Sequence, residues 1–360
     1  MTRESAQAPQ AQDEAPSYGD LRRKLIRGGI VVAVLVAIAA GLLALLPGLD
    51  GLRSALAEAS AGWLVAGAGI QLVAVISAVV FVQLVFADVP ERLTWKMGGA
   101  QQAANAVLPT AGSTGVGYWT LSSIGWAPSR FAERQAVMIV APAAPNFILI
   151  VLLGIGMGLG VLSGPSDWWL TWLPAAIVAV GIAAAILAAR WGHRLASRTK
   201  RRWSREGLRV LATGVTGSVE VLRRRNWRVL GAWVDLIAAI SALWACLFAV
   251  GEHLPFAVVA MGFLIGQFAQ VIPIPGGIGA IDAGVTGALV IYGGGTSISA
   301  AAQVLSHGLA LLIPLIAGSI AFALLPGEIK RSRSSEASTQ PDHVAHTVDS
   351  ATSVRRKRNN

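Results

Sequence analysis

The sequence predicts an all-α integral membrane protein: six full spans plus two broken re-entrant hairpins, eight apolar regions in all, arranged as an inverted repeat. Three observations lead there. The chain is 54% hydrophobic and 13% charged with a mean hydropathy of +0.61, which describes a chain solvated by lipid rather than a soluble core. Its apolar residues fall into runs of spanning length, roughly 20 residues at about 1.5 Å each. Its basic residues gather between those runs.

Residues 1–20, rich in Ala, Gln, Pro, Glu and Asp, bury too little apolar surface to fix a fold and read as a tail. Arg22, Arg23, Lys24 and Arg27 then precede an apolar run. That run lacks a small-residue cleavage pattern, so it reads as a retained span and not a signal peptide. The six spans are Ile26 to Leu46, Trp63 to Phe86, Gln135 to Leu162, Leu170 to Ala189, Val229 to Val250, and Ala300 to Leu325. Between them lie two apolar regions, Trp95 to Trp126 and Phe256 to Tyr292, broken by "NAVLPTAGSTGVG" and "QVIPIPGGIGAIDAG". Proline removes a backbone donor and each half is short for a span, so both read as pairs of half-helices entering and leaving on one side. Two tilted short spans are the alternative in each case.

Orientation follows from charge. With the N-terminus inside, every Lys and Arg of the 29 except Arg53 falls on the cytoplasmic side. The loop from Arg190 to Arg228 alone holds 12 of them against Glu206 and Glu220. Both termini and this loop are expected in the cytoplasm, with the chain in a bacterial inner membrane. Residues 21–326 form the membrane domain, with repeats at 26–162 and 170–325, the basic loop at 190–228 and a basic tail at 327–360. The pairs Gln101 and Gln267, Ala103 and Ala269, Pro109 and Pro275, and Thr120 and Thr286 share one spacing. The order of elements repeats with them. Three spans separate the hairpins, so they enter from opposite faces, a plan recurrent in secondary transporters.

The candidate site residues sit at the breaks. Backbone amides near Gly112 and near Gly276, Gly277 and Gly279 open the second half-helices, where the helix dipole favours an anion such as a phosphate headgroup; close helix packing is the alternative. Pro109 and Pro275 mark the breaks themselves. Ionisable groups inside apolar spans default to functional candidates. Asp282 reads as a proton acceptor or headgroup contact, or else as a cap or partner of His307; His307 reads as that partner, a relay or a packing residue. Asp235, near the cytoplasmic end of its span, is expected to pair with Arg228, with a transport role as the alternative. Gln101, Gln102, Asn105, Gln267 and Gln270 line the approaches to the breaks, to bind headgroup atoms or to bond between helices. Arg130 and Arg134 could attract a lipid phosphate or simply set topology. Leu208, Leu211, Val215, Val219 and Leu222 give the loop an apolar face suited to the inner leaflet.

Other classes find little support. The basic residues form no separate foldable domain, which argues against nucleic acid. The single cysteine, Cys246, allows no intrachain disulfide and no multi-cysteine metal site. No metal or cofactor is expected. The run GIGMGLG at 154–160 lies within a span and is no dinucleotide fingerprint. There is no HExxH, and "PTAGSTG" offers Ser113 and Thr114 without an arginine, so an intramembrane polyprenyl-phosphate hydrolase is the weaker reading. A non-transporting scaffold with a protein partner at the basic loop or tails is a third. Composition leaves the oligomeric state open.

The segment "PIPGGIGAIDAGVTGALVIYG", most specific at Pro275 to Asp282 and followed by an Ala-rich span with His307 and Pro314, resembles the membrane domain of lysylphosphatidylglycerol synthases and their stand-alone flippase-like relatives. "NAVLPTAGSTGVG" looks like the matching first motif. Relatives carry a Glu and an Arg shortly after it, where this chain has Val116, Tyr118 and Trp119. The resemblance implies a lipid flippase that moves a phospholipid or isoprenoid-phosphate headgroup by alternating access, with membrane lipids as partners. With no aminoacyl-transferase domain beside it, lipid aminoacylation is not expected, nor is enzyme activity.

Overall fold

A computed structural model describes residues 50–198, 213–221, 226–271 and 279–339, together with Tyr18, Gly19, Arg22, Arg23, Ile26, Ile30 and Arg223. Among them the secondary structure is helical, without strands. A short helix α1 (Asp50–Ala57) leads into α2 (Ala61–Val85). Next come α3 (Glu91–Val107), α4 (Ala111–Ser123), α5 (Pro128–Val140) and α6 (Ala143–Gly158). The second half comprises α7 (Trp168–Arg198), α8 (213–221), α9 (Leu230–Ala249), α10 (Phe256–Gly266), α11 (Ala280–Ile291) and α12 (Thr296–Thr339). Short 3-10 turns at Trp227–Val229 and Gln267–Val271 precede α9 and follow α10.

Five of these segments are long and apolar enough to cross a membrane: Ala61–Val85, Pro128–Gly158, Trp168–Leu187, Trp227–Ala249 and Thr296–Ser334. Each coincides with an expected span. The remaining expected span, Ile26 to Leu46, lies outside the described residues except for Ile26 and Ile30. Ile177, Val180, Ile316 and Ile320 stand exposed on the outer faces of α7 and α12. A soluble bundle would turn such faces inward; hydrocarbon solvates them. The chain is a multi-pass membrane protein.

Without a hydrophobic driving force between helices in lipid, close packing must hold the bundle together. The most extensive helix pairings are α2 with α9 and α3 with α12. Small residues let the second pair approach: a Cβ on Gly318 would sit 2.3 Å from the Gly99 carbonyl oxygen. Phe86, Leu93, Met97, Val116 and Leu121 then form one fully buried cluster that joins α2 through α4 to Leu325 of α12. A second cluster unites Ile150, Met157, Ile240 and Met261 across α6, α9 and α10.

The structure revises several boundaries. Gln135 to Leu162, expected as one uninterrupted span, is two helices parted at Ala141 and Pro142. The cause is "APAAP" at 141–145: Pro142 and Pro145 each remove a backbone donor within one turn. The last helix continues past 326 to Thr339 instead of giving way to a tail at 327. Lys96 pairs there with the buried Glu328, and Arg333 Nε donates to the Ser123 carbonyl at 2.5 Å, so polar residues are tied down. Likewise, α7 carries helix to Arg198, inside the stretch expected as loop. Tyr18, placed in the N-terminal tail by composition, packs between Trp119 and Phe322 with ring centroids 5.2 and 5.4 Å away. Within the basic loop, α8 docks on α5 through Gly214 and Gly217, where a Cβ would meet Val140 and Val137, and leaves Val219 outward. Leu208, Leu211 and Leu222 lie outside the described residues.

Candidate functional site

Both expected breaks part the helices around them. In the first, α3 ends at Val107 and α4 starts at Ala111. Between them the Ala111 amide donates to the Pro109 carbonyl at 2.6 Å, and Thr110 is held at φ 61, ψ −52. This is the conformation of a three-residue γ-turn, rare for a β-branched residue and strained by about 1–3 kcal/mol. Asn105 supports it, since its Oδ1 accepts from the Thr110 amide at 2.9 Å. The turn brings α4 back against α3 so tightly that a Cβ on Gly112 would lie 2.1 Å from the Ala104 carbonyl oxygen. Gln101 Nε2 donates across to the Ser113 carbonyl at 3.2 Å, and Gln135 Nε2 of α5 donates to Thr114 Oγ1 at 2.9 Å. Each of these glutamines keeps its Oε1 buried without a partner.

A cavity of about 330 Å³ opens on this cluster, lined by Gln101, Gln102, Asn105, Thr110, Ser113 and Gln135 against Phe81, Val82 and Met138. A second cavity of about 470 Å³ lies among α6, α9, α10 and the 3-10 turn, with Asn146, Phe263, Gln267 and Phe268 on its walls. Pro142, Ala232 and Asp235 line both. The two cavities therefore meet at the proline break of the fourth apolar region and one carboxylate.

Asp235 does not pair with Arg228 as expected. Arg228 Nη2 instead reaches Glu91 Oε1 at 3.3 Å. Seven residues further along, roughly 10 Å of helical rise, Asp235 turns to the cavities, half-buried. Among the described residues it has neither a hydrogen-bond nor an ion-pair partner, whereas Asp282 and Glu328 are paired; Glu252, also half-buried and without a partner, lies in the turn after α9 and lines neither cavity.

The second break is built differently. Pro275, Gly276 and Gly277 lie outside the described residues, as does the Gln270 side chain. Gly279, at φ 98, precedes α11. Its amide donates to Asp282 Oδ2 at 2.9 Å, while Asp282 Oδ1 accepts from Gln303 Nε2 at 3.0 Å and lies 2.5 Å from His307 Nδ1. Asp282 thus caps its own helix and fastens it to α12, and it lines neither joined cavity. Arg134 is also engaged: it reaches Asp88 at 2.7 Å and the Val85 carbonyl at 3.0 Å, beside Arg130, which lies 3.1 Å from Asp88 and stacks 3.9 Å above the Trp126 ring.

Of the candidates read from sequence, the structure gathers Gln101, Asn105 and Gln267 on the joined cavities, with Pro109 and Gly112 shaping the turn behind them. It leaves Asp282, Gly279, His307 and Arg134 elsewhere. Sequence reasoning missed Thr110, Gln135, Asn146 and Pro142. The signal for the last was present in "APAAP". A third, mostly apolar cavity of about 460 Å³ lies between α7, α10 and α11, beside Trp169, Pro174, Gly284 and Tyr292. Among the described residues no three His, Cys, Asp or Glu side chains converge as a metal-ion site.

Comparison with known proteins finds one family model, described as Lysylphosphatidylglycerol synthase TM region, matching residues 30–318. No curated protein matches the chain.

Proposed function

This chain belongs to the lysylphosphatidylglycerol synthase membrane-region family, and from that premise we propose that it is a lipid transporter, carrying a phospholipid or isoprenoid-phosphate headgroup across the bilayer. Family and membrane-helical fold together tie its function to membrane lipids. The finer reading rests on one observation: two polar-lined cavities that share Pro142, Ala232 and Asp235 on their walls in a bundle whose outside is apolar.

A headgroup crossing hydrocarbon loses its hydration, and every unsatisfied polar atom costs several kcal/mol there. Gln101, Asn105, Ser113, Gln135 and Gln267 on the cavity walls offer hydrogen bonds in place of water. The acyl chains remain against the exposed apolar faces. Alternating access then needs one half to rock against the other, with the turn at Pro109–Ala111 and the break at Pro142 as the natural points of bending. The positive-inside rule sets the end bearing Arg130, Arg134 and Arg333 toward the cytoplasm of a bacterial cell, with both termini on that side. Lipid is the partner this reading requires.

Reconstitution tests it. In vesicles carrying fluorescent phospholipid, a membrane-impermeant quencher should reach inner-leaflet label only when the purified protein is present. Gln101→Leu combined with Gln135→Leu should slow that component at unchanged protein content. Vesicles that behave like protein-free ones, for anionic phospholipid and isoprenoid phosphate alike, would end the transport reading.

A further inference from the structure

Asp235 calls for an explanation that headgroup hydrogen bonding does not supply. Among the described residues it is the one titratable residue on the walls of either of the two adjoining cavities. Among the described residues, the helices around it offer no countercharge. Helices α2, α6 and α10 contain no titratable residue. On α3, Glu91, Arg92 and Lys96 occupy the first two turns, with Glu91 committed to Arg228 and Lys96 to Glu328. On α5, Arg130 and Arg134 are held by Asp88, and Glu133 lines neither cavity. On α12, which also packs on α9, His307 lies against Asp282, and the charges from Glu328 onward lie beyond Leu325. An isolated carboxylate at membrane depth is costly, and a proton on it removes the cost without any second protein group. Its place at the junction means that whichever cavity opens to water exposes the same carboxyl.

We propose that Asp235 is the protonation site of a proton-coupled transport cycle, an assignment that rests on the transport reading above. The carboxylate takes a proton from water on the side to which its cavity is open, bonding it to one Oδ. The bundle rearranges with Asp235 neutral, and the O–H bond then breaks to return the proton to water on the opposite side. One proton moves per cycle and no other reactant is consumed. Unpaired charge keeps the deprotonated carrier from resetting empty, so it returns with a headgroup in the cavities, and each turn exchanges one headgroup for one proton.

The test uses the full chain in vesicles with an imposed pH gradient, reading the distribution of fluorescent lipid between leaflets. With one proton per headgroup, each unit of gradient should bias the leaflet ratio up to about tenfold. Asp235→Asn, which is isosteric and permanently neutral, should still move lipid but bring the ratio to unity; Asp235→Glu should restore the bias. An unchanged bias in Asp235→Asn overturns the proposal, as does wild-type transport that ignores the proton gradient or follows a sodium gradient instead. If wild-type protein moves no lipid at all, the transport reading fails and the coupling role fails with it. Infrared difference spectra of the same vesicles decide separately whether the site exists. A carboxyl C=O band that titrates in wild type and is missing from Asp235→Asn establishes it, and identical spectra dismiss it.

Discussion

Replacing Asp282 by alanine should destabilise the bundle, and the size of the loss follows from its three contacts. The Gly279 amide at 2.9 Å and Gln303 Nε2 at 3.0 Å each lose an acceptor, as does His307 Nδ1 at 2.5 Å. Side-chain exposure is only 20% at Asp282 and 13% at His307, so water replaces little of this. At about 1 kcal/mol for each of the first two bonds and about 2 for the charge-assisted one, the loss is roughly 4 kcal/mol. Asp282→Asn keeps one acceptor oxygen and should forfeit about half of that. Cys246 supplies the assay: it is the sole cysteine of the chain and is buried, so a thiol-reactive dye labels it only as the protein unfolds. Heating in detergent should show dye uptake at a clearly lower temperature for Asp282→Ala, with Asp282→Asn between it and wild type. Unfolding indistinguishable from wild type, accompanied by loss of lipid transport, would refute the structural assignment and return Asp282 to the transport site.

Three further outcomes are expected by the same dye assay. Gly112→Val puts a branched side chain where even a Cβ would sit 2.1 Å from the Ala104 carbonyl oxygen, and should cost at least about 1–3 kcal/mol or prevent folding. Lys96→Met leaves Glu328, 7% exposed, with only Arg331 at 3.6 Å, and should cost about 1–3 kcal/mol, largely recovered by adding Glu328→Gln. Tyr292→Phe removes the hydroxyl that donates at 2.6 Å to the Leu170 carbonyl, a group that Pro174, lacking an N–H, cannot serve. That change should cost about 1–2 kcal/mol, and a Pro174→Ala background, which restores the helical donor, should shrink it.

Particular segments show how far the chain could be read before its fold was known. The Trp63 to Phe86 and Val229 to Val250 regions announce themselves because hydrocarbon demands a continuous apolar run with its backbone bonds closed within the helix. "NAVLPTAGSTGVG" declared a break for a related reason: proline and crowded glycines deny the helix its donors and stiffness, and the gap at Leu108–Thr110 lies within it. Gln101 and Asn105 could be singled out as polar residues beside that break. Less was legible where polar residues are stabilised from a distance. Residues 327–339 read as a tail on composition alone, because nothing local says that Lys96 waits for Glu328.

Local composition thus determined that this protein spans the membrane repeatedly and that two of its apolar regions are interrupted, since each depends on the cost of moving neighbouring residues from water into lipid. Which of Asp235 and Asp282 is left unpaired was decided by tertiary structure. Asp235 and Asp282 are equally conspicuous acids in apolar stretches, yet α12 brings Gln303 and His307 to Asp282, and Arg228 is drawn away to Glu91. Pairing is a property of helices far apart in the chain, and hydropathy carries no record of it.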